Sequence, residues 1–113
     1  MILLGGIKLL NVSMEFRKGI LFVRLCGVFN DNNIKKFKDE VREVIISSGI
    51  KYVVLNTYDL LEISNNAIKE IKLLKKVLKK IDGEFFLYGG NVKELKKLVN
   101  LENELKVFEK VVI

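Results

Sequence analysis

The chain has 113 residues, half of them hydrophobic and 30% charged, which fits one compact domain and excludes both a disordered polar chain and two independent domains. It contains no His and a single Cys, so no Ser-His-Asp or Cys-His nucleophile can be assembled, a zinc site lacks its ligands, and a disulfide framework is excluded. The net charge of +6 rests on 17 Lys and only three Arg (Arg17, Arg24, Arg42); lysines spread along helices read as solvated faces, so a nucleic-acid partner is not expected, and with no His and one Cys no metal is expected, nor any cofactor.

The chain opens with "MILLGGIKLLN", an apolar run too short to span a bilayer and interrupted by Lys8. It lacks the basic start and the small-residue cleavage pattern of a signal peptide. Residues 1–10 are read as an N-terminal extension or edge segment, and a cytoplasmic protein with no membrane attachment is expected. Val12 to Arg17 and Ile20 to Val28 read as two strands joined by an "RKG" turn, a hairpin. Cys26, inside "ILFVRLCGVF", reads as a buried core thiol. "NDNN", Asn30 to Asn33, is a loop rich in helix-capping residues. Ile34, Phe37, Val41, Val44 and Ile45 then recur at helical spacing, which predicts an amphipathic helix from Ile34 to Ser47. Gly49 is placed to end it in the left-handed conformation.

Ile50 to Asn56 is a β-branched run suited to a buried central strand. "DLLEISNNAIKEI", Asp59 to Ile71, marks a corner where strand gives way to helix. Ala67, Ile68, Ile71, Leu74, Val77, Leu78 and Ile81 form one face of that helix, and Lys69, Lys72, Lys75, Lys76, Lys79 and Lys80 cover the other. Asp82-Gly83 closes it. "EFFLYGG" reads as a strand, Asn91 caps a short helix to about Asn100, and "LKVFEKVVI" supplies a last strand. The predicted order is β-β-α-β-α-β-α-β with no linker or repeat. That order implies an α/β single domain over residues 1–113, with a mostly parallel sheet, an N-terminal antiparallel hairpin as edge, and helices packed on it.

Ligands and partners of such sheets usually meet the carboxyl ends of the strands, and the corner after Asn56 is one such end. A helix start there offers unpaired N–H groups and partial positive charge, and Ser64, Asn65 and Asn66 are all good capping residues. Asp59 and Glu62 flank the corner as solvated loop carboxylates, with no nucleophile or metal ligand beside them. "YGGN", Tyr88 to Asn91, could cradle a phosphate but is equally a strand end feeding a helix cap.

"GILFVRLCGVFN", a helix, and then "IKYVVLNTYDLLEISNNAIKEI" together resemble the STAS domain, in particular the bacterial anti-sigma factor antagonists, including those of the sporulation pathway. The resemblance runs from about Met14 to Phe108 and is carried by "VRLxGxxN" and "YVVLNxxxLxxIS". It implies a protein that binds an anti-sigma factor, itself a serine kinase, and so frees a sigma factor. In the family that corner reads Asp-Ser-Ser/Thr-Gly, and phosphorylation of its first serine turns binding off. Aligned through "YVVLN", the aspartate falls on Ser64, the phosphoserine on Asn65, the second hydroxyl on Asn66 and the glycine on Ala67. The earlier loop aspartate of the family falls on Asn30.

The resemblance therefore implies a partner-binding surface from Asn30, Asp31, Asn32 and Asn33 together with Ser64, Asn65, Asn66, Ala67, Ile68 and Lys69. Asn65 cannot be phosphorylated, which leaves Ser64 as a possible shifted phosphosite. The leading expectation is a non-enzymatic regulator, monomeric or weakly dimeric, whose partner is an anti-sigma factor of the serine kinase type. Two alternatives are a diverged STAS domain that senses a small ligand or nucleotide, and one that acts in another partner-switching complex. A catalytic role ranks last, and the Lys face lacks the interleaved aromatics and arginines that nucleic-acid readout would use.

Overall fold

The sheet is built in chain order, each strand beside its predecessor. A computed structural model describes residues 9–88 and 106–107. It places β1 (Leu10–Arg17) antiparallel to β2 (Ile20–Phe29), with β3 (Tyr52–Ile63), β4 (Glu84–Tyr88) and β5 (Lys106–Val107) following in parallel. The hairpin turn uses Lys18 and Gly19, both at positive φ, the twist that a two-residue turn between right-twisted strands requires. Between β2 and β3 the chain forms a 3-10 turn (Asp31–Asn33) and a helix of three consecutive parts. These are α1 (Ile34–Phe37), a π-helical turn (Lys38–Arg42) and α2 (Glu43–Ser48). Gly49 ends it at φ 64°, as the sequence predicts. α3 (Asn65–Lys80) connects β3 to β4. The last predicted helix, Asn91 to Asn100, the ends of the last strand and residues 1–8 lie outside the described residues.

Strands added in sequence order through right-handed crossovers put their helices on one face of the sheet, and one core results. Leu21, Val23 and Leu25 of β2, Val53 and Leu55 of β3, and Phe85 and Leu87 of β4 meet Phe37, Val41 and Ile45 from the first helix and Ile71, Leu74 and Leu78 from α3. The Phe29 and Phe37 rings sit 4.8 Å apart, tilted by 33°. The alternate residues Phe22, Arg24, Val54, Asn56, Phe86 and Tyr88 face the other side, since side chains alternate across a strand. The described helices thus occupy one face.

A buried charge ties the two helices together. Glu70, only 4% exposed, accepts from Arg42 Nη1 at 2.8 Å and lies 3.8 Å from Lys38 Nζ. These two cations bracket the π-helical turn, so Glu70 fixes α3 against that part of the first helix.

The structure corrects four details of the sequence reading. β3 does not stop at Asn56 but runs to Ile63, because β2 is long enough to pair with it as far as Phe29. Five steps along β2 from Arg24 to Phe29 match seven along β3 from Asn56 to Ile63. Two extra residues bulge out of β3, and they break the alternation that marks a strand in sequence. Asp59 and Glu62 are accordingly strand residues and not loop carboxylates: Arg24 donates to Asp59 through Nε at 2.8 Å and also through Nη2. Cys26 is half-buried and outside the core, since Val23 and Leu25 take the inward positions of β2. Ile81, expected on the buried face of the second helix, is 39% exposed because it caps the helix end and no longer follows its period.

Two measurements check this packing. A Cβ added at Gly83 would lie 2.2 Å from the Lys51 carbonyl oxygen, a backbone atom that cannot swing away. Gly83→Ala is therefore expected to cost about 1–3 kcal/mol, the usual range for overpacking, read as a lower urea midpoint; an unchanged midpoint would contradict that close approach. Arg42→Ala leaves Glu70 buried beside a cation at 3.8 Å, whereas Lys38→Ala leaves the shorter pair intact. Arg42→Ala should cost about 3 kcal/mol, the scale of a broken buried pair, and Lys38→Ala less than about 1 kcal/mol, the scale of an exposed one.

Candidate functional site

β2 and β3 end side by side, with Phe29 opposite Ile63. The Ser64 N–H donates to the Phe29 carbonyl at 2.9 Å, so the loop leaving β2 and the helix following β3 start from one point. The loop is closed by its own side chains. The Asn30 side chain accepts from the Asn32 N–H at 3.0 Å, while Asn33 Oδ1 accepts from the Asn30 N–H at 2.8 Å. Asn33 Nδ2 also donates to the Val28 carbonyl at 2.8 Å. This reciprocal capping consumes the polar groups of Asn33, which is 9% exposed, and turns Asp31 and Asn32 outward.

Asp31 spans the gap to α3. Its two carboxylate oxygens accept from the Ser64 hydroxyl at 2.8 Å and from Asn66 Nδ2 at 3.0 Å. Ser64 is the N-cap of α3, its oxygen accepting from the Ala67 N–H at 3.1 Å. One hydroxyl thus serves as acceptor for the helix and donor to the carboxylate. The hydrogen bonds from Ser64 and Asn66 favour the ionised form and hold the Asp31 carboxyl below its ordinary value. Asp31 also supplies the negative charge that a helix start favours, since α3 has no acidic residue in its own first turn.

Of the ten residues expected at a partner surface, Asp31, Asn32, Asn65, Asn66 and Lys69 are exposed and Asn30 and Ser64 half-buried. Asn33, Ala67 and Ile68 are buried and support the surface from beneath. The sequence reading named Asp31 but missed its bridge to Ser64 and Asn66, a contact across 33 and 35 positions. It also missed Glu70. The available signal was a carboxylate on the apolar stripe of α3, three residues after Ala67 and four before Leu74, with Arg42 beside Val41 in the first helix.

Tyr88 ends β4, and the remainder of "YGGN" lies outside the described residues. Among the described residues no group of acidic, Cys or His side chains is arranged to hold a metal ion, and no helix is long and apolar enough to cross a membrane. A depression of about 310 Å³ lies on the sheet face away from the helices, lined by Ser13, Glu15, Phe22, Arg24, Val54 and Asn56 among others. It does not reach the Asp31–Ser64 corner.

A family model for the STAS domain matches residues 11–112, and the chain belongs to the STAS domain family. Among solved structures, it is similar to an anti-sigma factor antagonist from Mycobacterium paratuberculosis. That likeness has a TM-score of 0.74 and 14% identity over 90% of this chain and 87% of the other. It is similar to the anti-sigma factor antagonist SpoIIAA in its unphosphorylated form, with a TM-score of 0.71 and 12% identity over 89% and 90% of the two chains. A putative anti-sigma factor antagonist from Thermotoga maritima gives a TM-score of 0.73 and 18% identity over 88% and 87%. At these identities the likeness establishes the fold. No curated protein sequence matches the chain.

Two outcomes are expected at the corner. Ser64→Ala should cost about 1 kcal/mol, the usual worth of an N-cap hydroxyl, measured by urea denaturation. Asp31, with its carboxyl value lowered by folding, contributes stability above the ordinary aspartate range and loses it as pH falls through the lowered value. Asp31→Ala should therefore destabilise at neutral pH and converge with the parent in acid. A difference that stays constant with pH would show that the bridge does not depend on ionisation.

Proposed function

We propose that the protein is an anti-sigma factor antagonist, binding an anti-sigma factor of the serine kinase type through the surface from Asn30 to Asn32 and Ser64 to Lys69, and acting in the cytoplasm without catalysis. The observation that carries this reading is the Asp31 bridge. It joins the β2–α1 loop and the start of α3 into one exposed polar surface at the carboxyl ends of the strands, a place where partners of such sheets dock. STAS family membership and the likeness to anti-sigma factor antagonists support the class of partner.

Binding in this reading is constitutive. Asn65, in the family phosphosite position, has no hydroxyl. The Ser64 hydroxyl is engaged by Asp31 as a donor and by the Ala67 N–H as an acceptor. A phosphate on Ser64 would add about two negative charges beside the Asp31 carboxylate and remove the hydrogen that Asp31 accepts. The test combines the protein with its anti-sigma kinase and ATP, with the complex followed by size exclusion and phosphate by intact mass. The expected result is a stable complex with no phosphate on the antagonist, lost on Asn65→Glu. Phosphate on Ser64 would overturn constitutive binding, and no complex would overturn the assigned partner.

A further inference from the structure

The edge of the sheet at β1 has a polarity that the corner does not explain. The Val28 N–H donates to the Leu9 carbonyl at 2.9 Å, and Leu9 shares the register in which Leu10 lies opposite Gly27 and Arg17 opposite Ile20. In an antiparallel ladder, hydrogen-bonded and non-hydrogen-bonded pairs alternate. The odd-numbered residues of β1 therefore bond to β2, and the backbone groups of Leu10, Val12, Met14 and Phe16 point away from the sheet. Lys36 Nζ takes the Leu10 carbonyl at 2.7 Å, an independent sign of this direction and a block at that end of the edge. Among the described residues nothing pairs with Val12, Met14 or Phe16 along the edge. Their side chains share the helix-side face of the sheet, yet the helices leave them increasingly bare: Leu10 is 1% exposed, Met14 39% and Phe16 59%.

We propose that this edge pairs with a second copy of the chain, β1 antiparallel to β1, with the two-fold axis at Met14. A two-fold axis perpendicular to the sheet keeps the helix-side residues of both copies on one face. Even-numbered residues then pair with even ones, and the registers centred on residues 12 to 16 can be compared; centring on Val12 needs the Leu10 carbonyl that Lys36 holds. Centring on Glu15 sets two carboxylates opposite each other, which is destabilising. Centring on Phe16 brings Met14 against Lys18 of the turn, where φ is 49° and no ladder continues. Centring on Ser13 needs Leu10 to bond Phe16, and Lys36 already holds the Leu10 carbonyl.

Centring on Met14 uses the outward groups of Val12, Met14 and Phe16. It places Met14 on Met14 and Val12 on Phe16 along one face, with Ser13 beside Glu15 and Asn11 beside Arg17 along the other. The edge carries no Pro and no Lys, the usual devices against such pairing. Its only charges, Glu15 and Arg17, form an exposed pair at 2.5 Å.

Sedimentation velocity on the whole chain over a range of concentrations tests the proposal, together with oxidation of Met14→Cys in a Cys26→Ser background. The expected result is a concentration-dependent dimer and a cross-linked dimer through position 14, with none from Asn11→Cys in the same background. Met14→Lys faces two ammonium groups across the axis and should weaken the dimer by on the order of tenfold or more, with the circular dichroism spectrum retained. A chain that stays monomeric at every concentration would overturn the pairing. A dimer that survives Met14→Lys and does not cross-link at position 14 would overturn the register. Neither result bears on antagonist binding at the corner, whose residues lie at the far end of β2 and β3.

Discussion

The parallel pairing of β2 with β3 is the constraint on which the rest depends. Its register delivers Phe29 and Ile63 to the same level, which lets the Ser64 N–H reach the Phe29 carbonyl. Without that coincidence the Asn30–Asn33 loop and the start of α3 would be separate surfaces. The two extra residues in β3 are part of the same device: they carry the strand far enough to end beside Phe29 while keeping Leu60 and Ile63 buried. The bulged half of β3 also exposes Tyr58 and Leu61, so the approach to the corner carries apolar as well as polar groups.

The corner is stiff because its polar groups satisfy one another. Asn30 and Asn33 close the loop reciprocally, Asp31 binds the helix cap, and Ser64 links cap to loop. A surface ordered before its partner arrives gives up little conformational entropy on binding. The same saturation explains why Ser64 suits a structural clasp. Its hydroxyl holds two hydrogen bonds at once, one as donor to Asp31 and one as acceptor from the Ala67 N–H. Glu70 performs a related task inside the molecule, where its paired charge ties α3 to the π-helical turn.

The sheet presents three unlike surfaces from one topology. Consecutive strands with same-handed crossovers gather the described helices on one face, leave the opposite face to Phe22, Arg24, Val54 and Asn56, and put a hairpin strand at the edge. The proposed partner surface lies at the strand ends, where a helix start and an asparagine-rich loop converge. The proposed self-association uses β1, where backbone groups and an apolar stripe are both left over among the described residues. The separation means that the two kinds of contact need not compete.

Much of this was legible in the sequence because it is local. Helical spacing marks the buried faces of both long helices, "RKG" marks the hairpin turn, and Gly49 and Asp82-Gly83 mark helix ends through backbone preferences that need no tertiary contact. "VRLxGxxN" and "YVVLNxxxLxxIS" were enough to suggest the family. The extension of β3 was not legible, since bulges scramble the alternation of apolar and polar residues. Nor was the half-buried position of Cys26, since an apolar run does not say which of its members faces the helices. The Asp31 clasp and the Glu70 ion pairs joined residues far apart in sequence, and only the tertiary structure decided them. An isolated residue type carries no signal of a partner 28 or 33 positions away; the sheet register and the packing of two helices supply it.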